Sequence, residues 1–152
     1  TGALTSLDIL GRNEVNLKDQ WKEGAKSYLG LGVSNFPNLF TITGPGSPSV
    51  LSNMMPSIEQ HVNWIADCIG WMSENNKSVI ESTKTAEDEW MELVNEIADM
   101  TIFTSTQSWY NGSNIEDKAK AFLPFIGVPV YTEKLEEITA AEYQGFIFDK
   151  SN

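Results

Sequence analysis

The spacing of apolar residues predicts two amphipathic helices in the middle of the chain. The first has one apolar face, formed at alternating intervals of four and three residues by Ile58, Val62, Ile65, Ile69 and Met72. Pro56 suits the first turn of this helix. A second helix is predicted to begin at Thr85, because Asp88 stands three residues later as a capping-box analogue. The apolar stripe of this second helix consists of Trp90, Leu93, Val94 and Ile97.

The other apolar runs are shorter and predict strands separated by turns. Strands are expected at residues 4–10, 39–43 and 121–126, with a polar turn at 11–16. A third helix is expected over residues 129–143. The pattern therefore predicts a mixed α/β or α+β fold with a slight helical majority.

A loop of small residues follows the predicted strand at 39–43 and precedes the first helix. It runs from Gly44 to Met54 and has the sequence GPGSPSVLSNM. Free N–H groups and partial positive charge at a helix N-terminus favour an anionic or dipolar ligand, and small residues let that ligand approach the backbone. This loop is the best candidate for a ligand site.

Composition restricts the class of partner. The 152 residues are 41% hydrophobic, which fits one globular domain, and the net charge is −11. So acidic a chain is not expected to bind nucleic acid or an anionic membrane. Cys68 is the single cysteine, so a reducing cytoplasm is the expected location. A chain that starts at Thr1 without a methionine is interpreted as a fragment.

Several other features are interpreted as structural. The segment 30–35 (GLGVSN) resembles the start of a dinucleotide fingerprint, but Asn35 replaces the third glycine and Phe36-Pro37 follows where a helix must begin. His61, the only histidine, is expected to be a polar residue at the edge of its helix. The acidic run 87–89 is expected to be a solvated first turn, and no metal site is predicted.

A series of motifs around the loop closely resembles the C-terminal part of the Baeyer–Villiger monooxygenases, the cyclohexanone and phenylacetone monooxygenase-like flavoproteins. Upstream are LDIxG (7–11) and LKDxWxxG (17–24). The loop segment itself is FPNLFTITGPGSPSVLSNM (36–54). Downstream are IEQHVxWIxD (58–67), NEIADMT (95–101), SWYxGxNI (108–115) and YxGF (143–146). The resemblance covers nearly the whole chain.

The resemblance implies a reaction, its cofactors and its partners. An enzyme of this family uses FAD and NADPH to insert one oxygen atom of O2 next to a ketone carbonyl, which gives an ester or lactone. The partners implied are a ketone substrate, O2 and the upstream FAD and NADP domains of the same protein. No catalytic residue is expected within this segment, which alone is expected to be inactive.

The resemblance also assigns residues by matching positions. The cofactor-binding residues implied are Gly44, Pro45, Asn53, Met54 and Trp109. The substrate-binding residues implied are Ser49, Val50, Leu51 and Trp109, the last on a mobile loop that folds over NADP and the substrate.

The fold implied is α/β, as a single segment from the C-terminal part of an FAD-binding domain in a two-domain FAD/NAD(P)-binding flavoprotein. Residues 1–35 form the connection from the upstream domain, and 36–54 the strand and flavin-facing loop. Residues 56–100 form helices, and 101–152 the mobile loop, a strand and the final helix.

One departure from the family pattern and two other functions stay open. Residues 116–120 (EDKAK) stand where the family has Pro-Gly-Lys-Pro-Arg, which adds negative charge near the path of the NADP phosphates. One alternative is a non-enzymatic acidic interaction domain that docks a partner through exposed tryptophans: Trp21, Trp71, Trp90 and Trp109. The other keeps the flavin but oxygenates nitrogen or sulfur.

Overall fold

The described part of the chain combines three long helices with a two-stranded sheet. The computed structural model describes residues 2–48, 53–100, 125 and 127–150. Its elements in chain order are α1 (Gly2–Thr5), a 3-10 turn (Arg12–Glu14), α2 (Leu17–Gln20), α3 (Met54–Glu74), β1 (Val79–Ser82), α4 (Lys84–Asp99), α5 (Val128–Ala140) and β2 (Phe146–Asp149). The mixed α/β class predicted from the sequence is confirmed.

Side-chain caps fix the starts of the two central helices. The Asn53 side chain caps α3 by accepting a hydrogen bond from the Met55 N–H at 3.1 Å. The Thr83 hydroxyl caps α4 by accepting from the Ala86 N–H at 3.2 Å. The prediction that this helix begins at Thr85 is therefore wrong by one residue, since the capping threonine lies two positions earlier.

The two strands pair in antiparallel fashion, with Ile80 opposite Phe148. Neither strand was predicted, because each has four residues and its partner is distant in sequence. The strand expected at 4–10 is wrong, since helix α1 lies there and only Leu10 forms a bridge, to Asn16.

The strand expected at 39–43 is also wrong. Only Phe40 pairs there, in a single bridge to Gly32, because the chain turns on both sides of it. At the third expected strand, 121–126, Phe125 forms a parallel bridge to Pro48, and its other residues lie outside the described ones.

The main core lies between α3, α4 and α5 and is rich in aromatic side chains. Trp90 stacks on Phe125 with the ring centroids 5.0 Å apart, and Trp64 meets Tyr143 edge-on at 5.2 Å. A second apolar cluster near the N-terminus contains Leu17, Trp21, Ala25, Val33 and Phe36. Trp21 and Trp90 are buried, so the interaction-domain alternative loses two of its four exposed tryptophans.

Helix α3 does not bury the face that its apolar spacing predicted. Its buried residues are Ser57, His61, Trp64, Cys68 and Met72. Of the predicted stripe only Met72 is buried, whereas Val62 is 45% and Ile69 is 52% exposed. Within the described helices, none has the length and apolar character to cross a bilayer.

Candidate functional site

The candidate loop begins in a set of tight turns that require small residues. A Cβ added to Gly44 would clash with the Thr41 side chain and lie 2.7 Å from the Gly30 carbonyl oxygen. Gly46 has a φ of +78°, and a Cβ there would meet Trp90 Nε1 at 3.0 Å. The glycines are therefore set by close backbone approach and by a left-handed conformation.

Donors from three different parts of the fold hold the carbonyl groups of this loop. The contacts are Ser27 Oγ to Pro45 O at 2.6 Å, Trp90 Nε1 to Gly46 O at 3.2 Å and the Phe125 N–H to Ser47 O at 3.1 Å. Residues 44–48 are buried. The loop is thus fixed by the surrounding core, as a binding surface must be if it is to hold a ligand without large entropy loss.

His61 ties the same loop to α3 and α5. Its Nδ1 accepts a hydrogen bond from the Thr43 N–H at 3.0 Å, and its Nε2 lies 2.7 Å from the Tyr131 hydroxyl oxygen. That hydroxyl donates to the Leu29 carbonyl at 2.6 Å. Because a backbone N–H can only donate, Nδ1 carries no proton, and Nε2–H donates to Tyr131. These hydrogen bonds leave one proton on the imidazole ring, which is therefore neutral.

Burial supports the same protonation state, since it lowers the pKa of His61 to about 4. As expected, His61 is a polar residue of the helix, but its side chain is fully buried. A neutral histidine with a hydrogen bond at each ring nitrogen stabilises the position of the loop and is not set up to exchange protons with a substrate.

The N-terminus of α3 is the second part of the site. Asn53 is exposed and caps the helix, and Met54 is half-buried at its first position. The helix is 21 residues long, so its first turn presents partial positive charge and free N–H groups. One turn in, the Ser57 hydroxyl is buried and has no hydrogen-bond partner among the described residues.

The structure describes only some of the site residues taken from the family resemblance. Gly44 and Pro45 lie in the buried loop, and Asn53 and Met54 open α3. The other assigned residues lie outside the described ones: Ser49, Val50, Leu51 and Trp109. Sequence reasoning missed the anchors of the loop, Ser27 and Trp90 among them, because no local motif links them to it.

The glycine-rich segment 30–35 is bound by carboxylates. The Ser34 N–H and hydroxyl donate to the two carboxylate oxygens of Glu87 at 2.8 and 2.9 Å, and the Asn35 N–H donates to Glu81 at 2.8 Å. Arg12 pairs with Glu81 at 2.6 Å. Amides that already bind carboxylates do not form a phosphate-binding loop, in agreement with the interpretation from sequence.

The expectation that residues 87–89 form a solvated turn is wrong for Glu87. It is 2% exposed, and burial raises its pKa while the hydrogen bonds from Ser34 oppose that shift. Cys68 is a buried core residue, and burial raises its pKa to about 12. Across the described ranges, no group of acidic, histidine or cysteine residues is arranged to hold a metal ion.

Comparisons with known proteins give relatives over nearly the whole chain, although no protein-family model matches. Cyclohexanone 1,2-monooxygenase of Acinetobacter sp is 40% identical over 146 residues, which are 95% of this chain and 26% of that protein. Phenazine N-monooxygenase of Lysobacter antibioticus is 40% identical over 147 residues, 96% of this chain and 27% of that protein.

Solved structures of monooxygenases show the same similarity over nearly the whole chain. Cyclohexanone monooxygenase from Rhodococcus sp. Phi1 bound to NADP+ superposes with a TM-score of 0.93 at 36% identity, over 99% of this chain and 28% of that one. Oxidized steroid monooxygenase bound to NADP gives 0.91 at 40% identity, with the same coverage of each chain.

Over nearly its whole length, the chain therefore matches a segment of the flavoprotein monooxygenases. Within that class, the chain is similar to cyclohexanone and Baeyer–Villiger monooxygenases, which confirms the resemblance predicted from its motifs. It spans about a quarter of the length of the relatives that it matches.

Proposed function

We propose that this chain is the flavin-facing C-terminal part of an FAD- and NADPH-dependent monooxygenase that inserts one oxygen atom of O2 next to a ketone carbonyl. The product is an ester or lactone. The observation that carries the proposal is the match of 95% or more of the chain to ketone monooxygenases, with the anchored loop at its centre.

The cofactor role falls on the loop and on the start of α3. We assign the backbone of Gly44, Pro45, Asn53 and Met54 to the isoalloxazine. The helix dipole and the amides of the first turn of α3 favour an electron-rich ring. The exposed start of the helix at Asn53 supports this assignment, and the flavin would supply the redox chemistry when bound. The protein orients it and excludes water.

The substrate role falls on the middle of the loop and on Trp109. We assign Ser49, Val50 and Leu51 to the ketone pocket, and Trp109 to both NADP and the substrate. We assign the chain to the C-terminal part of the FAD-binding domain. In this division, residues 1–35 are the connection from the upstream domain and 36–54 the flavin-facing stretch. Residues 56–100 are the helices, and 101–152 the mobile loop, a strand and the final helix. A cytoplasmic location is part of the proposal.

The second candidate is oxygenation of nitrogen. It is favoured by one observation, the 40% identity to phenazine N-monooxygenase, which equals the identity to cyclohexanone 1,2-monooxygenase. The two reactions share the flavin and differ in the atom attacked, so the segment alone does not separate them.

A chimera tests the proposal. In this chimera, the 152-residue chain replaces the segment of cyclohexanone 1,2-monooxygenase of Acinetobacter that it matches. Bound FAD, NADPH consumption and reaction products are then measured with cyclohexanone and with a phenazine. We expect about one FAD per chain and lactone from cyclohexanone. A folded chimera that binds no FAD contradicts the proposal, and N-oxide as the sole product selects the second candidate.

A further inference from the structure

Two residues at the base of the loop have a backbone conformation that their side chains disfavour. Leu29 has a φ of +60° and Thr43 has a φ of +54°, both in the left-handed region. A bulky or β-branched side chain makes this region costly. Such residues keep it only where the surrounding structure holds them, and they concentrate at functional sites. We call Leu29 and Thr43 the two corners.

Both corners act on the first residue of the loop. Thr43 directly precedes Gly44, and Leu29 directly precedes Gly30. The Gly30 carbonyl oxygen accepts hydrogen bonds from the Gly44 N–H at 3.1 Å and from the Thr41 hydroxyl at 2.8 Å. The path of the chain into the loop is therefore fixed from two sides, and it changes if either corner relaxes.

One pair of side chains holds both corners. The Tyr131 hydroxyl donates to the Leu29 carbonyl at 2.6 Å. His61 Nδ1 accepts from the Thr43 N–H at 3.0 Å. The two side chains are also joined to each other, with His61 Nε2 2.7 Å from the Tyr131 hydroxyl oxygen. Three hydrogen bonds in series therefore connect the corners through α3 and α5.

The surroundings of Tyr131 keep this series of hydrogen bonds intact. Tyr131 and His61 are both fully buried. Burial raises the pKa of Tyr131, so its hydroxyl retains the proton that it donates. A buried polar group that loses its partner is costly, which favours the bonded arrangement. The other anchors, Ser27 and Trp90, bind carbonyl groups further along the loop.

We propose that Tyr131 is a positioning residue for the flavin of the complete enzyme. Its hydroxyl, together with His61, holds both corners, so that the backbone of Gly44 and Pro45 meets the isoalloxazine at one fixed position. The inference rests on the proposed function, since it takes this loop as the flavin-facing one. A reacting group misplaced by about 1 Å can cost about a hundredfold in rate.

The test compares Tyr131→Phe with Tyr28→Phe in the chimera. Each substitution keeps the ring and removes one hydroxyl that donates to a backbone carbonyl. Tyr28 is the matched control, because its hydroxyl donates to the Gln144 carbonyl at 3.0 Å, which lies outside the loop. With cyclohexanone, we expect Tyr131→Phe to lower kcat by about fivefold or more and to leave KM within about twofold. It should also shift the visible absorption spectrum of the bound FAD, whereas Tyr28→Phe should leave the spectrum and both constants unchanged.

A double variant tests whether Tyr131 and His61 act as one unit. His61→Asn removes the hydrogen bond to Tyr131 and retains an oxygen atom that can accept from the Thr43 N–H. The double variant should lose little more kcat than Tyr131→Phe alone, because both substitutions break the same series of hydrogen bonds. If Tyr131→Phe does not fold, His61→Asn is compared with Tyr28→Phe by the same measurements.

Two results would overturn the proposal. One is a kcat and a flavin spectrum of Tyr131→Phe that equal those of Tyr28→Phe. The other is a set of losses that multiply in the double variant, since independent effects multiply.

Failure of the proposed function is separable from failure of this positioning role. A wild-type chimera that binds no FAD would refute the function. Amide hydrogen exchange at Thr43 and Gly44 needs no flavin, and Tyr131→Phe should speed it by about tenfold in that case as well. An unchanged exchange rate would overturn the inference that Tyr131 holds the corners.

Discussion

The protonation state of His61 leads to a quantitative prediction about pH. Burial holds the pKa of the folded imidazole near 4, against 6.5 for a free histidine. As the pH falls below 6.5, the unfolded chain takes up a proton that the folded chain refuses, so the free energy of unfolding decreases. The stability from this group is complete above pH 6.5 and is lost towards pH 4. Linkage gives a loss of about 2 kcal/mol between pH 7 and pH 5.

The variant His61→Asn isolates this contribution, because asparagine does not titrate. Urea unfolding of the 152-residue chain, followed by fluorescence of its five tryptophans, gives the free energy at each pH. We expect His61→Asn to be less stable at pH 7, since it loses the hydrogen bond to Tyr131. Its change between pH 7 and pH 5 should be smaller than that of the wild type by about 2 kcal/mol.

The control is internal to this comparison. Burial raises the pKa of Glu87, and that carboxyl group is present in both proteins, so its effect on the pH dependence cancels. If His61→Asn lost as much stability between pH 7 and pH 5 as the wild type, the neutral buried imidazole would be refuted.

Four further predictions concern the loop and the pocket. Trp90→Phe removes the donor to the Gly46 carbonyl and should cost about 1–2 kcal/mol in urea unfolding; an unchanged value contradicts the anchoring role. Gly46→Ala should destabilise the chain by about 1–2 kcal/mol because of its positive φ, whereas the control Gly70→Ala should stabilise it by up to about 1 kcal/mol; equal changes contradict this reasoning. In the chimera, Leu51→Ala should change which ketones are oxidised without loss of FAD, and Trp109→Ala should slow oxygenation and release more hydrogen peroxide. Unchanged ketone selectivity or unchanged coupling to NADPH would contradict those two assignments.

The family resemblance and the long helices could be predicted from the sequence, because both depend on sequence patterns that extend over many residues. The motifs cover most of the chain, and α3 and α4 have caps and periodic apolar residues. The short strands could not be predicted, because β1 and β2 have four residues each and are separated by most of the C-terminal half of the chain. Non-local pairing leaves no signal in local spacing.

The face of α3 shows why hydrophobicity alone misplaced the core. Val62 and Ile69 of the predicted stripe are exposed, while the buried face includes Ser57 and His61, polar residues that a periodicity rule assigns to solvent. The His61 imidazole is accepted in the core because both its nitrogens have partners.

The structure of the FAD-loaded chimera tests the central claim most directly. The quantity measured is the distance from the isoalloxazine ring to the backbone of Gly44, Pro45, Asn53 and Met54. Contact at about 3–4 Å is the expected result. A flavin bound in the same protein with its isoalloxazine far from all four residues would contradict the assignment of this chain as the flavin-facing part of the enzyme.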